Sequence, residues 1–588
     1  MNPPNIKEQY VKRIAFILVI TLSMQHTQAF TPQKTKVALR KFTISGYVTD
    51  KTSKETLIGA NILENQSGLG ATTNSFGFYS LTLPEGNITL GYSYIGYEYT
   101  YKSLYLDKDT IINISLNDNN RLEEIIIVSD KTETGLKATQ MSAMDIPIAQ
   151  IRNTPSILGE ADVLKAIQLT PGVQSGTEGS AGIHVRGGGP DQNLILLDGI
   201  PLYNVEHVFG FFSVFTPEAV KKVSFFKGSF PARFGGRLSS VIDVRTNDGN
   251  MQKYHGSFSI GLLSSKINFE GPIIKDKTSF NISARRSYFD LLIRPFMPKD
   301  EKGGYYFYDI NAKINHKFND RSRLFLSAYN GKDEYSYSYK SVENNYSNYS
   351  SQDKQKLNWG NTVFAARWNY IFNNKLFSNS TIAYNKYLFN ANLKTSQKET
   401  HNGASQENKY QSDYNSGIRD WSYSIDFDYN PSPSHHIKFG GGYLYHTFSP
   451  EIQTSRIQEQ NSGTTNDTVY NVSPNPRIYA HEASLYAEDN FSLNDRISIN
   501  AGVHLSLFHV QKKSYFSLQP RISLRYEFMK DITLKASYTK MNQYINLLSS
   551  SSISMPTDLW VPVTKNIKPM SAHQYSLGTY YSGLLMIC

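Results

Sequence analysis

The residues able to do chemistry by type and spacing gather first between Ile183 and Tyr203, where Arg186-Gly187-Gly188-Gly189-Pro190 breaks an apolar alternation and Asp198-Gly199 ends the run Leu194 to Leu197. A turn this rich in glycine lets backbone approach a ligand, a phosphate or a neighbouring wall, and spacing alone does not choose among them. The phosphate-loop order G-x-x-x-x-G-K-[ST] is missing, so no nucleotide is indicated. A second block repeats the mixture of cations and glycines through Lys227, Arg233, Gly235, Gly236 and Arg237. His435-His436 follows Pro431 and Pro433 and reads as a turn rather than a metal site. None of the thirteen histidines starts an H-x-x-E or H-E-x-x-H zinc signature, and the single cysteine, Cys588, allows neither an internal disulfide nor a thiolate metal site. Paired carboxylates, a histidine cluster and a nucleophile elbow are all missing at convincing spacing, so the expectation is a protein that is not an enzyme and uses no metal or cofactor. The formal charge is +10, but Lys and Arg are interspersed with acidic residues, and no nucleic-acid partner is expected.

These residues need a scaffold. Lys7, Lys12 and Arg13 precede the apolar run Ile14 to Met24, and Thr27-Gln28-Ala29 follows, which reads as a secretory signal over 1–29. The run is about half the ~20 residues of a membrane helix. Residues 40–117 show short strand patterns separated by turns at Asn74 to Gly77 and Pro84 to Gly86, the signature of a small β-sandwich. Over 119–134 a linker is expected, containing Leu122, Glu123, Glu124, Ile125, Ile126, Ile127 and Val128. That acidic start and β-branched run make a strand without an evident sheet, either free for capture by a partner or the last strand of the sandwich. Residues 135–248 alternate helix and strand. A helix is expected over Glu160 to Ile167, and a second short one with Thr216 as cap and Pro217 at its first position. The segments on either side of the glycine turn, Ile183 to Val185 and Leu194 to Leu197, are expected to pair as a hairpin.

From 253 to 588 the period is two. Ile497, Ile499, Ala501, Val503, Leu505 and Leu507 share one face, with Ser498, Asn500, His504 and Ser506 on the other, expected to be wet. Very short turns at Asn373-Asn374 and Asn494-Asp495 alternate with polar excursions at Gly331 to Lys356, Leu393 to Ser416 and Pro450 to Pro476, expected to be long loops. With 40 Tyr and 32 Phe, this suits a transmembrane antiparallel β-barrel with aromatic girdles. Roughly thirteen strands of ~10 residues or more are counted, an odd number and short of the ~22 of plugged transporters. The barrel is therefore expected to be incomplete, as in a truncated or frameshifted reading of a longer receptor.

Arg186-Gly187-Gly188 followed by Leu196-Leu197-Asp198-Gly199-Ile200-Pro201 resembles the heart of the plug domain of TonB-dependent outer-membrane receptors. The run Lys227 to Arg245 resembles the end of that domain. Ile44 to Val48, Leu57 to Asn61 and Asn74 to Tyr79 resemble the carboxypeptidase regulatory-like domain, a transthyretin-type sandwich found ahead of the plug in many receptors of Bacteroidetes type. The resemblance implies a mostly β chain: sandwich at 40–117, a TonB box at Leu122 to Val128, an α+β plug at 135–248 and a partial barrel at 253–588. Within the plug it singles out Arg186, Gly187, Gly188, Asp198, Gly199, Lys227, Arg233, Gly235, Gly236 and Arg237, with the charges as candidates for holding the plug against the barrel wall. It implies an outer-membrane location with the N-terminal domains in the periplasm, and partnership with the TonB complex, outer-membrane lipid and a small ligand. Iron chelate, glycan and peptide all suit the aromatic and amide residues of Tyr335 to Tyr349; the plug lacks the starch-utilisation pattern, which favours a chelate or another small ligand over a glycan. Energy-coupled import is the function implied. Binding, adhesion or signalling without transport is the alternative, as is a non-functional truncated receptor.

Overall fold

The computed structural model describes residues 40–119, 138–154, 160–175, 182–344, 348–401, 404–461, 464–471, 477–548 and 558–581. The expected signal segment and Leu122 to Val128 lie outside these residues.

The N-terminal region pairs two small sheets built from β1 (Lys41–Asp50), β2 (Asn61–Glu64), β3 (Gly70–Thr72), β4 (Phe78–Pro84), β5 (Gly86–Ser93), β6 (Thr100–Leu106), β7 (Thr110–Ile111) and β8 (Ile114–Leu116). One sheet has the order β4-β1-β7, with β8 also on β1; the other runs β3-β2-β5-β6. Period two decides what each face of β1 touches. Ile44 and Val48 enter the sandwich core with Leu81, Leu83, Leu90 and Tyr92, whereas Tyr47 points the other way, toward Phe78 and Phe377.

The middle region contains β9 (Ala143–Ile146), α1 (Ile148–Asn153), α2 (Val163–Gln168), β10 (Val173–Gln174), β11 (His184–Val185), β12 (Asn193–Leu197), β13 (Ile200–Pro201), β14 (Glu206–His207), β15 (Phe212–Ser213), β16 (Val220–Phe226) and β17 (Ser240–Thr246). Its main sheet runs β13-β12-β17-β16-β9, and α2 buries Val163, Leu164, Ala166 and Ile167 against it. The expected helix therefore forms, but it starts later. Asp162 caps it by accepting from the Leu164 and Lys165 amides at 2.8 and 3.1 Å, while Glu160 leaves the helix to pair with Lys266 at 2.7 Å. Two expectations fail. The glycine-rich turn does not close a hairpin: β11 pairs with β10, and β12 pairs in parallel with β17, because the apolar run Leu194 to Leu197 finds its partner in Val241 to Val244. The second helix is only a turn, with two bonds, Ala219 N–H to Thr216 O and Val220 N–H to Pro217 O, before β16 claims the chain.

The third region is one antiparallel sheet of fifteen strands. They are β18 (His255–Ile260), β19 (Ser264–Ile274), β20 (Thr278–Ser287), β21 (Glu301–Asn319), β22 (Ser322–Asn344), β23 (Asn348–Asn373), β24 (Leu376–His401), β25 (Ala404–Ser432), β26 (His435–Asn461), β27 (Thr464–Asn471), β28 (Ile478–Ser492), β29 (Ile497–Val510), β30 (Lys513–Met529), β31 (Ile532–Gln543) and, after the small pair β32 (Ile545–Leu548) and β33 (Leu559–Pro562), β34 (Met570–Tyr581). A short helix, α3 (Phe289–Ile293), lies between β20 and β21. Among the described residues β18 and β34 are the two ends of the sheet, so it is a barrel wall that is not closed. Fifteen strands form where roughly thirteen were expected: β27 arises inside the excursion Pro450 to Pro476, while β22 to β26 absorb excursions as added length. Those five strands run 23 to 29 residues, and the described residues of Gly331 to Lys356 and of Leu393 to Ser416 stay in ladder register. Ladder pairing satisfies backbone groups that a loop would leave to water, so the excursions are hairpins rising beyond the ~9–11 residues that span a membrane.

The alternation sorts as expected but with one reversal. On β30, Phe516, Leu518, Ile522 and Leu524 are exposed, while Ser517, Gln519, Arg521, Ser523 and Arg525 are buried. The polar face is not wet; the middle region fills the space behind it.

Candidate functional site

The surface where the middle region meets the sheet is the site. Asp198 and Gly199 form the two-residue turn between β12 and β13, with φ of 52° and 82°. Both residues are left-handed, the geometry of a tight primed hairpin turn, and Gly199 takes it without a Cβ penalty. Buried Asp198 accepts from the Thr246 hydroxyl at 2.6 Å and pairs with Lys313 of β21 at 3.1 Å, and the Arg367 guanidinium of β23 donates to its carbonyl. Burial on its own would raise the Asp198 carboxyl; Lys313, Arg367 and Arg245 overcome it and hold the group below its ordinary value. Lys313 also pairs with Asp248 at 3.2 Å, Asp248 with Lys221 at 2.6 Å, and Lys221 with Glu55 of the N-terminal region at 3.0 Å. Charges therefore alternate from sandwich to sheet in an unbroken chain.

The second glycine block touches the wall directly. A Cβ on Gly235 would run into the His504 ring of β29, and one on Gly228 into the Gln574 amide. His504 in turn donates from Nδ1 to the Ala232 carbonyl at 2.8 Å, the Ala232 amide donates to Glu488 at 2.6 Å, and the Ser229 and Ser523 hydroxyls meet at 2.8 Å. Of the five charges singled out from sequence, only Asp198 pairs with an ion of the sheet. Arg233 pairs with Asp243 at 3.0 Å, Lys227 donates to the Pro171 carbonyl and Arg186 to the Ser142 hydroxyl, all within the middle region. Arg237 lies over the Trp560 ring, 5.6 Å from its centre. Arg186-Gly187-Gly188 faces its own domain: a Cβ on Gly188 would sit 2.6 Å from the Ser239 hydroxyl.

Sequence reasoning missed the strongest contact. His207 of β14 is buried with Nδ1 2.6 Å from Asp333 of β22 and Nε2 2.9 Å from Asp309 of β21. Both nitrogens face carboxylates, so the ring is a doubly protonated donor. Burial works to lower its pKa, but the two carboxylates raise it to about 9. Asp309 is further held by Arg285 at 2.5 Å and the Tyr329 hydroxyl at 2.8 Å. No local pattern marked this contact, because both partners lie more than a hundred residues along the chain.

Farther from the short turns, Tyr203 donates to Asp420, which also meets His446 at 2.7 Å. Here Asp191, Glu206, Asp558 and Arg237 line a cleft with Tyr203, Tyr387 and Trp560. Burial first, then Asp162, raises the Glu206 carboxyl to about 7. The cleft offers about 50 Å³, well below the ~300 Å³ or more of a small-molecule site, so seating a ligand there requires its walls to part. His435 and His436 go separately to Asp489 and Asp428, each at 2.6 Å. Among the described residues no three His, Cys, Asp or Glu side chains are grouped to hold a metal ion.

An α+β body clasped behind an outward-apolar antiparallel sheet is the architecture of a plugged outer-membrane receptor. The chain belongs to the TonB-dependent receptor family: models of the CarboxypepD_reg-like domain, the TonB-dependent receptor plug domain and the TonB-dependent receptor-like β-barrel match residues 44–127, 137–241 and 300–585 in that order. It is 26% identical over 223 residues to TonB-dependent receptor P3 of Formosa agariphila, covering 36% of this chain and 21% of that protein. It is 29% identical over 175 residues to the ferrienterobactin receptor of Escherichia coli, covering 27% of this chain and 22% of that one. The matches thus span about a fifth of these relatives' length. The siderophore receptor PiuA of Acinetobacter baumannii has a similar structure, with a TM-score of 0.47 and 11% identity over 76% of this chain and 70% of that one. No helix among the described residues is long and apolar enough to cross a membrane.

Proposed function

We propose that this chain is a ligand-gated importer of the outer membrane, which binds a small scarce ligand above the plug and admits it to the periplasm when the TonB complex pulls the plug. The observation that carries this reading is the character of the plug–sheet contact. Beside apolar contacts such as Phe212 with Phe307 and the plug core with Val363 and Ala383, it holds buried ions and hydrogen bonds, His207 to Asp309 and Asp333 and Asp198 to Lys313. Such contacts are specific in geometry yet can be exchanged for water when the plug moves, whereas an interdigitated apolar interface would resist release. The division into sandwich at 40–117, linker with TonB box at 119–134, plug at 135–248 and partial barrel at 253–588 is part of the proposal, as is Leu122 to Val128 as the segment that TonB captures by strand addition. The acidic and aromatic cleft of Asp191, Glu206, Tyr203, Tyr387 and Trp560 suits an iron chelate or a peptide.

The test is accumulation of a labelled ferric catecholate, an oligopeptide and an oligosaccharide in cells that express the chain, with and without deletion of 122–128. Accumulation of one probe that falls to background on deletion, while surface binding persists, supports import through this segment. Equal accumulation in both strains, or none with any probe despite binding, overturns it.

A further inference from the structure

We propose that the outer face of strands β21 to β25 carries a binding site for a lipid bearing a phosphate monoester. The site is a furrow of about 680 Å³ topped by two adjacent cations, Lys386 and Arg419, with no carboxylate paired to them among the described residues. Ladder register builds it. One row across the sheet is Ala312, Ala328, Phe364, Tyr384 and Trp421; the next row, toward the short turns, is Ile314, Leu326, Ala366 and Ile382. All nine line the furrow. The alanines leave a hollow that the flanking Phe364, Ile382 and Trp421, each about half exposed, wall in. A hollow of this size lies within the ~300–1,000 Å³ range of ligand sites, and its lining is almost wholly apolar, as an acyl chain requires.

Lys386 and Arg419 sit directly above. They are register partners on β24 and β25, one step beyond Tyr384 and Trp421, whose rings are 4.9 Å apart. Outward neighbours in an antiparallel pair hold their Cβ atoms ~4.5–5.5 Å apart, and like charges so placed repel. Among the described residues no carboxylate lies beside them on this face of the ladder. Thr362 and Thr447 flank them in their own row, and Gly360, Leu388, Gly417 and Ser449 lie in the row above, without a carboxylate. The neighbouring outward lysines differ: Lys332 and Lys356 both pair with Glu334, at 2.9 and 3.0 Å. Two adjacent cations over an apolar furrow match an anion with about two charges on acyl chains. A phosphate monoester, with ≈ −1.5 to −2 charge near neutrality, meets that demand, whereas a phosphodiester has one charge. This inference rests on the outward face of the sheet meeting lipid, and it is independent of what the plug cleft binds.

The experiment is native mass spectrometry of the full chain released from phosphatidylcholine nanodiscs containing equal fractions of phosphatidic acid and phosphatidylglycerol. Phosphatidic acid should be retained preferentially, and basic residues near a membrane surface contribute roughly fivefold each to such binding. The charge-removing pair Lys386→Gln with Arg419→Gln should abolish the preference. Ala312→Leu with Ala366→Leu, which fills the furrow and keeps both cations, should reduce retention of the same lipid. Equal retention of the two lipids, unchanged retention in either variant, or competition by inorganic phosphate alone would overturn the proposal.

Discussion

Replacing His207 by alanine should loosen the plug by about 3 kcal/mol, and the loss should depend on pH in a defined direction. The ring is buried between Asp309 and Asp333, and its pKa is raised from the ordinary 6.5 to about 9. A gap of about 2.5 pKa units corresponds to ~3 kcal/mol at 1.36 kcal/mol per unit. The cost of removing one partner of a buried ion pair, ~3–5 kcal/mol, gives the same order independently. Because the folded pKa is raised, this stabilisation is complete below about pH 6.5 and is lost as pH rises through about 9. The groups facing the ring are Asp309, Asp333 and, through Asp309, Arg285; Tyr305 and Tyr329 hydrogen-bond the two carboxylates. Amide hydrogen exchange over residues 203–215 in detergent-solubilised protein reads the opening of this segment. Opening in His207→Ala should be roughly a hundredfold more frequent than in the unaltered chain at pH 6, and the difference should shrink toward pH 10. Equal protection in the two proteins at pH 6, or a difference that grows with pH, would refute the assignment of His207 as a charged latch.

Lys313→Met should cost about 3–5 kcal/mol at neutral pH, because Asp198 and Asp248 both lose a buried cation; the midpoint of urea unfolding followed in the plug checks this, and the cost should diminish in acid as the carboxylates protonate. Gly235→Ala should destabilise plug docking by about 1–3 kcal/mol through collision with His504, and His504→Ala in the same chain should restore part of it, since the clash needs both partners. Phe377→Ala should free the sandwich from the short-turn end of the sheet, because Phe76 and Phe78 stack on that ring at 5.5 and 5.3 Å; faster hydrogen exchange at Phe76 to Phe78 with the plug unaffected is the expected signature.

Much of the site was legible in the chain before its fold. The Asp198-Gly199 turn was read from residue type alone, since a primed turn needs positive φ and few residues accept it. Gly235 was singled out in the second glycine block, but what approaches it, His504, was not legible, and Gly228, which meets Gln574, was not singled out. Arg186, Lys227 and Arg233 were read as possible ties to the wall and proved to be ties within the plug, because a guanidinium or ammonium takes the nearest acceptor that folding presents. His207 gave no signal: its partners lie 102 and 126 residues away, and no local pattern spans that distance.

What the sequence determined by itself was whatever depends on neighbours along the chain. Alternation at period two sets which side of a strand each residue occupies, and the short turns at Asn373-Asn374 and Asn494-Asp495 set where the strands reverse. Only the tertiary structure decided which side is inside. On β30 and β31 the polar side, Gln519, Arg521, Arg525 and Lys535, is the buried one, because lipid-facing geometry demands apolar groups outward and the plug supplies the inward partners. It also decided that the described residues of the polar stretches 331–356 and 393–416 are paired strands: each stretch alone has the composition of a loop, and only a neighbouring strand in register supplies the hydrogen bonds that make it a sheet.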